Sequence, residues 1–268
     1  MMELDAAPTI KTMRDKKPLV HHITNWVTIN DCAQIVRRWG CLPVMAHARE
    51  EVEDMVGLAS ALVLNIGTLT PELVESMLLA AAAANQKGIP VVLDAVGVGA
   101  TRLRTAEAQR LLNGAHIDIL KGNAGEIATL AGLSAEVRGV ESISVGGDLG
   151  PAAKALAARL GNIVAITGVK DLVSDGRRVL ETAYGHPLMG EVVGTGCISS
   201  STVGCFAAAG KDWLILTALA LACFGLAGER AARAAQGPGD FLANLYNSIT
   251  EMVQNPAGLK VQAQEAKA

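Results

Sequence analysis

"GIPVVLDAVGVGA", residues 88–100, carries an apolar run into Asp94 and then into a glycine-rich turn. The run shows no apolar/polar alternation, which predicts a strand covered on both faces. Comparable runs stand on either side of it: "LVHHIT" (19–24), "LPVMA" (42–46), "ALVLNIG" (61–67), "IDILKGN" (117–123) and "NIVAITG" (162–168). Longer amphipathic or alanine-rich segments such as 71–86 and 149–160 separate them. Strands buried on both faces and joined by helices make an α/β fold with a central, mostly parallel sheet flanked by helices. "KDLVSDGRRVLET" (170–182) reads as two short strands around the Asp175-Gly176 turn, expected as a hairpin flap beside the sheet. Three helices then follow, 195–209, 213–235 and 238–255, with no further strand expected. No repeat or linker divides the chain, so 1–268 reads as one domain behind a polar N-terminal segment, 1–17.

Half of the 268 residues are hydrophobic and 18% are charged, enough for a full core. The net charge of −3 comes with scattered basic residues and leaves no basic stripe for nucleic acid. Five widely spaced cysteines, none in C-x-x-C, suggest neither a disulfide framework nor a zinc site, and fit a reducing cytoplasm. The opening residues lack the apolar run of a signal peptide. Trp213–Gly228, the most apolar stretch, is bounded by charges and too short to span a bilayer, so a buried helix is expected.

Ligands of open parallel sheets bind beyond the carboxyl ends of the strands. Those ends offer Thr24-Asn25, Met45-Ala46, Asn65 to Thr68, Asp94, Lys121 to Asn123 and Thr167-Gly168. "GTGC" (194–197) opens a helix with unpaired N–H groups and glycines that admit close approach, a site for an anion such as a transferred phosphoryl group. The same turn also serves as an ordinary cap. Asp94 and Glu126, from neighbouring strand ends, suit magnesium, which takes one or two carboxylates beside waters and phosphate oxygens. Glu126 alone also reads as a helix-start carboxylate, and Lys121 as either a phosphate partner or a solvated lysine. His21 and His22 are adjacent on a strand and point to opposite faces, so they do not share a metal. Cys197 would be a thiolate candidate at a helix N-terminus. No histidine nearby in sequence supports a cysteine hydrolase.

"PLVHHITNWV", "LPVMAHAREEVEDM", "ALVLNIGTL", "VVLDAVGVGAT", "KGNAGEI", "AITG" and "VGTGC", in this order, resemble the hydroxyethylthiazole kinase family. The resemblance implies a ribokinase-like fold and ATP-dependent phosphorylation of the primary alcohol of 4-methyl-5-(2-hydroxyethyl)thiazole, in thiamin-precursor salvage. It also implies a homotrimer with active sites between subunits. It places thiazole contacts at Asn25, Met45 and the backbone around Gly194, and nucleotide contacts at Lys121, Thr167 and Gly168. It assigns Asp94 and Glu126 to magnesium and phosphates, and Gly194, Thr195, Gly196 and Cys197 to the catalytic turn. Related sugar and pyrimidine kinases carry an aspartate base where this chain has Cys197. Position 121 is usually arginine in the family, and the block after Asp94 usually starts with proline where this chain has Ala95. The alternatives are another ribokinase-like kinase, such as one for hydroxymethylpyrimidine, and a non-catalytic thiazole- or nucleotide-binding protein.

Overall fold

The computed structural model describes residues 1–133, 135–138, 141–145 and 149–266. The chain begins with β1 (Met2–Asp5), α1 (Ala7–Lys16), β2 (Leu19–Ile23), α2 (Ile29–Arg38), β3 (Leu42–Val44), α3 (Val52–Leu58), β4 (Ala61–Asn65) and α4 (Pro71–Lys87). It continues through β5 (Val91–Asp94), α5 (Arg102–Gly114), β6 (Ile119–Asn123), α6 (Ala124–Ala131), β7 (Ala135–Arg138), β8 (Glu141–Val145), α7 (Leu149–Leu160) and β9 (Ile163–Thr167). Last come β10 (Asp171–Ser174), β11 (Val179–Thr182), α8 (Leu188–Glu191), α9 (Thr195–Ala207), α10 (Trp213–Ala234), α11 (Pro238–Gln254) and β12 (Lys260–Glu265).

Local chemistry explains the boundaries. Thr70 caps α4 through its side chain, Pro71 opens the helix, and Gly88 closes it at φ +74°. In α6, Asn123 and Glu126 form a reciprocal capping box.

The main sheet runs β1-β12-β11-β10-β9-β6-β5-β4-β2-β3. From β3 to β9 every pairing is parallel, and β10, β11, β12 and β1 extend that edge antiparallel. Alternation along β4 shows the layering: Ala61 and Val63 enter one core, Leu62 and Leu64 the other. The first core is closed by α1, α2 and α9 to α11, the second by α3 to α7. All parallel strands therefore end on the same side, where the polar residues gather.

Three expectations change. The 170–182 hairpin forms, but it is no flap: β10 pairs with β9 and carries the main sheet onward. A further strand does follow the three helices, because β12 inserts between β11 and β1. Segment 1–17 is built into the fold as β1 and α1, with Ile10 and Met13 fully buried. Helix α10 is long and apolar enough to cross a membrane, yet 78% of its most apolar window is buried against other elements.

Candidate active site

The loop after β2 starts the site. Asn25 Oδ1 accepts from Val27 N (3.0 Å), Thr28 N (3.0 Å) and Thr28 Oγ1 (3.1 Å). With its oxygen committed, the amide turns Nδ2 toward Asn65 Oδ1 (3.0 Å) and the Cys197 sulfur (3.3 Å). Asn65, the last residue of β4, donates to Asp94 Oδ2 at 2.8 Å. Asp94, the last residue of β5, has Oδ1 3.5 Å from Lys121 Nζ, and Lys121 donates to the Gly196 carbonyl at 2.7 Å. A ring of polar contacts thus leaves α9 at Cys197, crosses the ends of β2, β4, β5 and β6, and returns to α9 at Gly196.

The glycine turn has an asymmetric design. Gly194 is the N-cap of α9 with φ +94°, a left-handed conformation, and a Cβ there would run into the Thr28 methyl. Gly196 has no such constraint: a Cβ would meet only Lys121 Nζ, at 3.7 Å. The Thr195 hydroxyl donates to the Met189 carbonyl at 2.7 Å, tying the turn to α8. Ile198 N is already bonded to the Gly194 carbonyl, which leaves the N–H groups ahead of it for a ligand.

Burial dominates the electrostatics. It raises the pKa of Asp94, with Lys121 opposing. Glu126, at the third position of α6, is pushed up to about 7, first by burial and then by Asp94. Both its oxygens are held by backbone, Oε1 by Gly97 N (2.7 Å) and Oε2 by Asn123 N (2.7 Å). Burial works to lower Lys121, but Asp94, Cys197 and Glu126 overcome it and hold the ammonium above its ordinary value. Cys197 is raised to about 11 by burial and then by Asp94. It therefore presents a thiol at neutral pH.

Beside the ring lies a cavity of about 490 Å³, whose lining includes Thr167, Gly168, Thr195, Gly196, Met189 and Phe224. Glycine 168 is held from behind by Asp171, whose Oδ1 accepts from Gly168 N at 3.1 Å. Burial raises Asp171 to about 6.

Of the residues singled out from the sequence, Asn25, Asp94, Lys121, Gly196 and Cys197 join in one chain of contacts, and Glu126 is coupled to it by charge. Thr167 and Gly168 share the cavity with Thr195 and Gly196. Met45, half-buried just beyond β3, stands outside the ring. Lys121 is 3% exposed and directed inward, unlike a solvated strand-end lysine. Asn65, Thr28 and Asp171 had no assigned role. Asn65 was visible as a strand-end polar residue, whereas Thr28 and Asp171 gain their place only through contacts that folding creates.

The model of the hydroxyethylthiazole kinase family matches residues 10–255. The hydroxyethylthiazole kinase of Methanosarcina mazei is 54% identical over 254 residues, covering 95% of this chain and 96% of its own. A solved hydroxyethylthiazole kinase from Pyrococcus horikoshii OT3 superposes with a TM-score of 0.87 at 39% identity, covering 97% of this chain and 98% of that one. At 15% identity and a TM-score of 0.62, Staphylococcus aureus pyridoxal kinase in complex with AMP-PCP and pyridoxal shares the fold, over 93% of this chain and 99% of its own.

Proposed function

The chain belongs to the hydroxyethylthiazole kinase family, and on that premise we propose that the ring from Asn25 to Lys121 is the site where the thiazole alcohol receives a phosphoryl group from ATP. The observation that carries this reading is the closure of that ring on Gly196, which also lines the 490 Å³ cavity. One wall thus faces both an alcohol held near Cys197 and a nucleotide lying against Thr167, Gly168 and Thr195.

The hydroxyl oxygen attacks the γ-phosphorus as the bond to the β,γ-bridging oxygen breaks, ADP leaves, and the hydroxyl proton passes late, in a loose transition state, to an oxygen of the transferred phosphoryl group and from there to solvent. Asn25 orients the Cys197 thiol, which positions the hydroxyl without taking its proton early. The free N–H groups opening α9 and the Lys121 ammonium face the developing charge. Asp94 and Glu126 fit magnesium: each is pushed toward its neutral form by burial, and the Lys121 ammonium opposes this shift in both. A divalent cation would relieve that excess, held through the lone pairs the backbone leaves free and through water. Bound there, it would supply charge neutralisation for the phosphates.

Exposed Trp26 (49%), Val27 (66%) and Val193 (77%) flank Asn25 and Gly194 and support a homotrimer that buries them. Five free cysteines support a reducing cytoplasm. An ADP-release assay tests the reading. The thiazole alcohol is expected to be turned over in a magnesium-dependent manner in preference to hydroxymethylpyrimidine, by a species with the mass of three chains. Binding of the alcohol without ADP release, or preference for the pyrimidine, overturns it.

A further inference from the structure

Strand β3 is the edge of the sheet, and its ladder to β2 ends at the pair His21 and Val44. The backbone that follows, starting with Met45, lies beyond that ladder. A buried side-chain bond takes over. His21 Nε2 lies 2.7 Å from the Ala46 carbonyl, with His21 fully enclosed and Ala46 8% exposed. A carbonyl only accepts, so the ring carries its proton on Nε2. Burial lowers the His21 pKa and so favours the neutral ring, against the opposing pull of the bond to Ala46. Nδ1 has no hydrogen-bond partner among the described residues, so the bond to Ala46 is the ring's one polar contact there. On the outer side of the segment, the exposed His47 ring meets Trp26 edge-on at 4.7 Å, a contact open to solvent.

We propose that His21 is a positioning residue for the thiazole alcohol: by holding the Ala46 carbonyl it fixes Met45, one residue earlier, in the conformation that contacts the heterocycle. The inference rests on the reading of Met45 as a thiazole contact. The bond is buried and an unpaired carbonyl there is costly, so the segment would rearrange without it. The effect is confined to the alcohol, because the nucleotide cavity is lined from the β9 end and α10, across the sheet from β3.

Steady-state kinetics on folded variants, checked by thermal melts, test this. His21→Leu is expected to raise the thiazole KM roughly five- to ten-fold, the worth of one buried hydrogen bond, with kcat and the ATP KM unchanged. His21→Gln, whose amide nitrogen reaches the place of Nε2, restores the thiazole KM. In a Met45→Ala background, His21→Leu adds nothing further, since both changes act on one contact. Equal losses for both substrates, a glutamine variant no better than leucine, or an undiminished effect in the Met45→Ala background each overturn the inference. If Met45→Ala alone leaves the thiazole KM unchanged, the assignment of Met45 falls and takes this inference with it. If Met45→Ala raises that KM while His21→Leu does not, the positioning role alone falls.

Discussion

Cys197 is held near 11 by burial and the adjacent Asp94 carboxylate, and its sulfur accepts from the Asn25 amide at 3.3 Å. Both observations support the orienting role proposed for it. A serine hydroxyl keeps the polarity but is smaller, and shifts the hydroxyl of the alcohol away from the anion site. Cys197→Ser is therefore expected to lower kcat about ten- to a hundred-fold, at the low end of general acid–base effects, where loss of a covalent nucleophile costs ~10⁶-fold. Abolished turnover in a folded serine variant, or a phosphorylated thiol detected by mass spectrometry, would restore the nucleophile reading. The residue itself was legible in the sequence, since "GTGC" before a helical run marks a helix start. Its protonation state was not, because that depends first on burial and then on the charge of Asp94, more than a hundred residues earlier, both of which only folding supplies.

Helix α9 shows how one element carries two kinds of glycine. Gly194 needs its left-handed backbone and its missing side chain, with Thr28 packed where a Cβ would stand. Gly196 needs neither. Gly194→Ala is expected to cost more than the ~1 kcal/mol of an ordinary helix-start change, and to reduce turnover by separating Thr28 and Asn25 from the turn. Gly196→Ala should melt near the parent temperature. Differential scanning calorimetry of the two variants decides this, and equal melting temperatures would refute the asymmetry. Strand β5 offers a related lesson. Ala95 N donates to the Lys121 carbonyl at 2.9 Å, a bond that a proline at this position would lack the hydrogen to make. That bond ties together the strands that bear Asp94 and Lys121 just beyond the end of β5.

At the scale of the whole molecule, the site is held at the cost of buried charge, and global stability should report it. Asp171 is raised from 3.8 to about 6 by burial. A carboxyl raised in the folded state binds its proton more tightly there than in the unfolded chain. Its contribution is fully present below about 4 and is lost as pH rises through about 6. The whole effect is worth about 3 kcal/mol at most. Asp171→Asn keeps an acceptor for Gly168 N and loses the proton, so urea unfolding between pH 4 and 6 should lose that part of its slope; an unchanged slope would refute the assignment. The succession of the six strands β2 to β6 and β9 with their intervening helices, the parallel character of that part of the sheet and the polar residues at its strand ends were legible in the sequence, because apolar runs of strand length between helical segments have few ways to bury both faces. Tertiary structure alone decided that the 170–182 hairpin extends the sheet and that β12 crosses back to pair with β1. It also decided that Asn65 and Thr28 bond to Asn25 beside Cys197 and that His21 meets the Ala46 carbonyl. Those outcomes depend on which distant backbone and side-chain groups meet when the chain closes, and local patterns of hydrophobicity do not encode partners so far apart.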